Sequence, residues 1–284
     1  MDNTANKIVN VKIIRHAHSI ANEYKNKYGK HATEEDYRDA KLSNQGIESI
    51  QQIKDKLKEF IGNPDVIIVS PLKRAIQTCL LIFDEPVDKP IRIVPLVSEL
   101  NNLIENKGSR RETLQNDKDL QQLLNFQHVD LSLKYDLMSQ FYYYYGWKAL
   151  FLNGWKSNND KINVISDLKT WKDLNSDILS VPSKRITAFK NFLSDDEFSG
   201  KNIVIVSHCI FIKRLLGECP KNLGVASFTF DQIDQTIKNI QFMDFTQNAQ
   251  ISQTINIKGG KLNNTSKYIN YKKYKNKYSQ LKNK

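Results

Sequence analysis

Two apolar runs in this chain end in the same way. IVNVKII, residues 8–14, leads into Arg15-His16, and KNIVIV, residues 201–206, leads into Ser207-His208. Each run is short, rich in β-branched residues and without strict polar alternation, the pattern of a strand covered on both faces. A chain with such strands has to build a sheet with helices on either side. The remaining segments fit that demand. DVIIV (65–69) and IRIVPL (91–96) read as further strands. LSNQGIESIQQIKDKLKEF (42–60) carries apolar residues at helical spacing behind Ser43 as N-cap. SPLKRAIQTCLLIF (70–83) reads as a helix with Ser70-Pro71 as N-cap and first helical residue. PSKRITAFKNFL (182–193) and CIFIKRLLG (209–217) read as helices, and VASFTF (225–230) and NIQFMDF (239–245) as two more strands. The expected fold class is α/β, a three-layer α/β/α arrangement with a mostly parallel central sheet. In such sheets ligands bind outside the carboxyl ends of the strands. His16 and His208 are therefore expected to meet there, although 192 positions separate them.

With 284 residues, 40% of them apolar, the chain can form one α/β unit with an insertion. The reading assigns residues 1–248 to that unit, with a helical insertion over about 100–180, and residues 249–284 to a basic tail. No apolar run is long enough for a membrane span. The start, MDNTANKIVN, shows no signal-peptide pattern. Three scattered cysteines, Cys79, Cys209 and Cys219, form no disulfide framework, so a cytoplasmic protein is expected. The net charge of +11 is concentrated at the end: no acid follows Asp244, and nine lysines lie between Lys258 and Lys284. That stretch reads as a solvated, mobile tail. Nucleic acid is not expected as a partner, although interleaved Lys and Tyr are also what binds RNA or anionic membranes.

Five patches then line up: Arg15-His16, Ser70-Pro71 with Arg74, Glu99, Arg110-Arg111 and Ser207-His208. Each lies at or just after a strand. Arginine forks donate paired hydrogen bonds to phosphate oxygens. A neutral imidazole nitrogen can attack phosphorus, and a carboxylic acid can protonate the leaving alkoxide. Glu105 is a close competitor of Glu99 for that role. The pair His16/His18 also has a zinc-like spacing, but no carboxylate or cysteine stands at ligand distance, so no metal and no cofactor are expected. His31 and His128 read as surface or loop residues. The aromatic stretch from Phe141 to Trp155 reads as packing over the sheet edge or as a substrate-selecting wall.

RHAHS, SPLKRAIQT, SEL and VIVSHCIFIKRLLG, in this order, resemble the histidine phosphatase superfamily, the phosphoglycerate-mutase-like proteins, over roughly residues 8–245. DAKLSNQG, NKGSRRETLQ and FQHVDLS are most similar to its plant and fungal branch. The resemblance implies that His16 becomes phosphohistidine and that Arg15, Arg74, Asn22 and His208 hold the phosphoryl group. It implies that Glu99 is the proton donor and then the base, and that Arg110 and Arg111 touch the far end of the substrate. The implied reaction is metal-free hydrolysis of a small phosphorylated molecule; oligomeric state is not implied. Two positions depart from the family: Ala17 and Cys209 stand where Gly is usual. They motivate one alternative, a phospho-ligand-binding pseudoenzyme. Cys209 itself reads as a small filler behind the pocket or, beside the positive charge of a phosphate site, as a redox-active thiol. The other alternative is mutase-type phosphotransfer. It is disfavoured because EEDYRDAKLSNQG lacks the Gly-Trp expected of a mutase.

Overall fold

The computed structural model of the chain describes residues 7–83, 91–101, 103–108, 118, 120, 182–245 and 250–255. Its elements are β1 (Ile8–Arg15), α1 (Ile20–Tyr28), α2 (Asn44–Ile61), β2 (Val66–Val69), α3 (Lys73–Ile82) and β3 (Ile91–Ile93). After residue 181 come α4 (Pro182–Leu193), β4 (Asn202–Ser207), α5 (Cys209–Leu216), β5 (Val225–Asp231), β6 (Thr236–Asp244) and β7 (Gln250–Ile255). Most of the insertion expected over about 100–180, with Arg110, Arg111, His128 and the stretch from Phe141 to Trp155, and the tail beyond residue 255 lie outside the described residues.

The seven strands form one sheet in the order β3-β2-β4-β1-β5-β6-β7. The expected α/β class holds, but "mostly parallel" needs correction. β3, β2, β4 and β1 pair in parallel, whereas β1/β5, β5/β6 and β6/β7 are antiparallel. The reason is connection length. Parallel neighbours need a crossover of a dozen or more residues, while a short turn fits only an antiparallel pair. Only residues 232–235 join β5 to β6, and 245–249 join β6 to β7. The segment 250–255, assigned from sequence to the tail, is thus the edge strand of the sheet.

Each face of the sheet is covered. On one side α2 and α3 bury Ile50, Ile53, Leu57, Ile76 and Leu80 against Ile14, Ile67 and Val206. On the other, α4 and α5 bury Phe189, Leu193, Phe211 and Ile212 against Ile13, Ile68 and Ile205. Alternate residues of one strand therefore serve two cores, which is why these strands read as continuous apolar runs. Ser43 caps α2 by accepting from the Gly46 amide, and Gly217 ends α5 in the left-handed conformation, both as expected. Helix α1 was not legible from apolar periodicity. Its signal is the Ser19/Asn22 capping box, closed by reciprocal side-chain and backbone bonds. At α3 the expected cap is displaced: Leu72, not Ser70, is the N-cap, because the Ser70 hydroxyl is taken up by His208. No helix among the described residues is long and apolar enough to cross a membrane.

Candidate active site

Register brings the two histidines together. β1 and β4 are parallel neighbours with Arg15 opposite Ser207, and the His16 amide donates to the Ser207 carbonyl at 2.9 Å. The next residue on each strand is a histidine, and the two ring centroids lie 5.0 Å apart. β2 flanks β4 on its other side, so Ser70 reaches the same point, its amide bonding the Val206 carbonyl at 3.0 Å.

The hydrogen bonds define the state of both rings. His16 Nδ1 is 2.7 Å from the Ala17 carbonyl oxygen, which only accepts, so Nδ1 carries the proton. His16 Nε2 then accepts from Arg74 Nε at 3.1 Å, so its single lone pair is directed at that guanidinium in the cavity wall. His208 Nδ1 accepts from Arg74 Nη2 at 3.2 Å, so its Nε2 donates to Ser70 Oγ at 2.7 Å. Both imidazoles are neutral. Burial first, then the positive charge of Arg74 beside each, lowers their basicity well below the ordinary histidine range. Arg74 is itself buried, and its remaining bonds run to the Glu105 carbonyl at 2.7 Å and Asn106 Oδ1 at 2.5 Å.

Arg15 approaches from the opposite wall, with Nη1 donating to the Pro220 carbonyl at 3.0 Å and Nε buried without an acceptor. Asn22 lines the cavity as well, its Oδ1 spent on the Ser19 amide of the cap. Glu99 also lines it. Its Oε1 accepts from the amides of Leu100, Ile210 and Phe211 at 2.9, 3.0 and 3.2 Å, which seats the carboxylate on the N-terminus of α5. The cavity has a volume of about 150 Å³. That is below the roughly 300–1,000 Å³ of a drug-sized ligand pocket, so its depth suits a phosphoryl group.

Of the expected site residues, Arg15, His16, Asn22, Arg74 and Glu99 line this cavity, and His208 lies directly behind it. The two departures from the family pattern are accommodated. Neither Ala17 nor Cys209 has a positive φ, so neither position needs glycine. Cys209, expected as an unpaired filler, is instead joined to Cys219 by a disulfide. The short helix α5 and the loop after it return the chain to its starting end, which brings two cysteines ten residues apart together. His18 holds α2 in place through Ser43 Oγ at 2.9 Å. A Cβ on Gly46 would lie 2.0 Å from the His18 carbonyl oxygen, which explains the glycine of LSNQG.

Other residues of the site escaped the sequence reading. Thr78 Oγ1 accepts from the Ala17 amide at 3.0 Å, and Asn222 donates to the His16 carbonyl at 2.8 Å, so both hold the His16-Ala17 segment. Arg185 donates to the Ser98 and Glu99 carbonyls at 3.2 and 3.1 Å; its burial pushes its pKa down to about 10, against which the Glu99 charge acts. His31, expected on a loop surface, is 2.9 Å from Glu105 Oε1, and both residues line the cavity. Only motif context could have signalled Thr78, as the last residue of SPLKRAIQT. Asn222, His31 and Arg185 carry no local signal. Among the described residues no cluster of His, Cys, Asp or Glu is suited to a metal.

Two arginines and two neutral imidazoles around a small cavity at the carboxyl ends of parallel strands define a phosphoryl-handling α/β protein. The histidine phosphatase superfamily (branch 1) matches residues 11–130, a span that holds His16, Arg74 and Glu99, and over that span the chain is similar to the superfamily. Its fold is similar to that of phosphoglycerate mutase from Bacillus anthracis str. Sterne, with 16% identity and a TM-score of 0.46 over 84% of this chain and 94% of that one. Alpha-ribazole phosphatase from Shigella flexneri shares 19% identity, with a TM-score of 0.42 over 78% and 91% of the two chains. Phosphoserine phosphatase from Entamoeba histolytica, solved with 3-phosphoglyceric acid, shares 16% identity, with a TM-score of 0.39 over 88% and 98%. Likenesses this distant assign no activity to this chain. No curated protein matches it.

Proposed function

We propose that the protein hydrolyses small phosphomonoesters, without a metal, in two in-line steps through a phosphohistidine on His16. The observation that carries this reading is the tautomer of His16: a neutral ring, its Nδ1 proton held by the Ala17 carbonyl, leaves Nε2 unprotonated beside a cavity walled by Arg15 and Arg74, where a bound phosphoryl group would take over the Arg74 donor. The arginines bind the peripheral oxygens and offset the charge that shifts during transfer, which is the main need of phosphoryl chemistry, while His208 braces Arg74 from behind. The pocket reads the phosphoryl group, and the residues that read the remainder of the substrate, Arg110 and Arg111 among those expected, belong to the insertion. The intact nucleophile and arginine set speak against a binding-only pseudoenzyme.

The compartment proposed is the cytoplasm. A single bridge beside an active site, with Cys79 free and buried, is compatible with it, since cytosolic disulfides are usually catalytic or redox-sensing. The test is hydrolysis of p-nitrophenyl phosphate in EDTA by wild type and by His16→Ala, with acid quenching to detect an acid-labile, base-stable phosphoenzyme. Turnover and label that both vanish in the variant are the expected result. Turnover that persists in His16→Ala overturns the mechanism.

A further inference from the structure

The two arginines of the cavity wall are held in different ways. The Arg74 guanidinium bonds to His16, the Glu105 carbonyl, Asn106 and His208, partners that lie on three separate segments. Among the described residues, the contacts of the Arg15 guanidinium run to one loop: the Pro220 carbonyl at 3.0 Å and Cys219 Sγ at 3.7 Å. Its Nε is buried without an acceptor. The same loop, residues 219–224, fixes the backbone beneath it. Leu223 donates to the Arg15 carbonyl, Arg15 donates to the Gly224 carbonyl, and Asn222 holds the His16 carbonyl. What keeps this loop in place therefore keeps Arg15 in place. The path of the loop is a constrained one. Helix α5 has eight residues and a length of about 12 Å, and the chain returns along all of it to bring Cys219 back to Cys209, with Cα atoms 5.1 Å apart. Leu223 is held at φ +61°, a left-handed conformation that residues with a side chain rarely adopt. The Cys209–Cys219 bridge ties this loop covalently to the first turn of α5. Cys209 lines the cavity, and both cysteines are half-buried, within reach of a thiol from solution.

We propose that the Cys209–Cys219 bridge is a redox site through which a dithiol reductant sets the phosphate affinity of the pocket, by way of Arg15. The proposal rests on the reading above that this cavity takes a phosphoryl group. One thiolate of the reductant attacks a sulfur of the bridge, and the other cysteine leaves as a thiolate and takes a proton. The second thiol of the reductant then displaces the first cysteine from the mixed disulfide. Two electrons and two protons pass to the bridge: two cysteine thiols form, and the reductant becomes a disulfide. With the bridge open, the loop relaxes from the left-handed Leu223 conformation, and the Pro220 carbonyl no longer aims the Arg15 fork at the phosphoryl oxygens. Arg74 is held by partners outside the loop and keeps its place, so the reduced pocket binds phosphate with one ordered arginine instead of two. Disulfides in a reducing compartment are usually catalytic or redox-sensing, and Cys79, free and buried, takes no part.

Calorimetric titration with inorganic phosphate tests this on the full chain, oxidised, reduced with dithiothreitol and re-oxidised. Alkylation with iodoacetamide counts the reactive thiols in each state. Reduction is expected to add two reactive thiols and to raise the Kd of phosphate about tenfold, the weight of one hydrogen bond to a charged group. Re-oxidation should restore the original Kd. The kcat/KM for p-nitrophenyl phosphate should fall and recover by a similar factor. Cys219→Ser should bind phosphate like reduced wild type, whatever the redox state. Arg15→Ala should bind about tenfold more weakly than oxidised wild type, with no further change on reduction. That readout separates control through Arg15 from a general loosening of the fold, which would weaken binding in this variant as well. An unchanged Kd after both thiols have appeared overturns the proposal. So does a bridge that fails to form in the oxidised protein, a loss that re-oxidation does not restore, or a redox effect that persists in Arg15→Ala. Redox-dependent phosphate binding without turnover in either state overturns the hydrolytic reading instead and leaves the redox site standing.

Discussion

The parallel and antiparallel halves of the sheet are built of similar residues and serve different ends. In the parallel half, β1, β2 and β4 finish side by side, and the residues after them, His16, Ser70 and His208, gather at one point. All three strands point their carboxyl ends, with free loops and the amino ends of the following helices, at one place. The antiparallel strands β5, β6 and β7 alternate in direction, so their ends cannot converge on one point. They close the second core through Ala226, Phe228, Phe230 and Phe242. Their contribution to the site comes from residues 219–224, the loop before β5. There Leu223 and Gly224 pair with the Arg15 backbone, Pro220 holds its guanidinium and Asn222 holds the His16 carbonyl. One half supplies the reacting groups and the other keeps them still.

The sharpest test of that division removes a reacting group. His16→Ala should cost at least about a thousandfold in turnover while the unfolding midpoint in urea stays near that of wild type. A stability loss of comparable weight should come from the other half. Phe230→Ala, at a site with no exposure, is expected to destabilise by about 3–5 kcal/mol in equilibrium urea unfolding, with the kcat of the folded fraction kept. A Phe230 variant that loses kcat in proportion to stability would merge the two halves into one functional unit.

A third effect lies at their junction. The Cys209–Cys219 bridge closes a ten-residue separation between α5 and the loop that clamps Arg15, and Arg15 Nη1 also lies 3.7 Å from Cys219 Sγ. Its reduction by a dithiol should cost about 2–3 kcal/mol of stability and should raise the inhibition constant of inorganic phosphate, an effect absent in a Cys219→Ser variant. Phosphate inhibition that ignores the redox state would show that the loop holds Arg15 without its bridge.

The smallest effect is graded with pH. Burial and Arg74 lower the basicity of His16 and His208 in the folded protein, so the unfolded chain binds more protons than the native one in the window from the ordinary histidine range, near 6.5, down to the native values. Stability is therefore complete above that window and falls as pH drops through it, by about 1.4 kcal/mol per pH unit for each histidine. Urea midpoints between pH 8 and pH 5 would show the slope. The same shift keeps His16 neutral, so its acid limb in kcat/KM should lie well below 6.5.

Much of this was legible before any coordinates. The apolar runs located β1, β2 and β4, the Ser43 and Gly217 caps located helix ends, and strand ends pointed to a meeting of His16 and His208. These are local signals: burial on both faces demands unbroken apolar residues, and helix ends demand particular caps. Partners chosen by the fold were not legible. The β7 hairpin was hidden because QISQTI is polar enough to read as tail. His31 read as a loop residue because nothing near it in sequence announces Glu105, 74 positions away. Cys209 and Cys219 read as unpaired because the return of the chain after α5 is a tertiary event.

The sequence by itself placed His16 and His208 just past the ends of two apolar strand runs, and motif context joined Arg15, Arg74 and Glu99 to them, since burial on both faces demands unbroken apolar residues. Only the tertiary structure decided which ring nitrogen of His16 carries the proton and what each carboxylate touches. Glu99 and Glu105 are the same residue in the same segment, and what separates them is the helix N-terminus delivered to one and the histidine delivered to the other. Hydrogen bonds to distant backbone depend on where elements come to rest, and no local pattern encodes that.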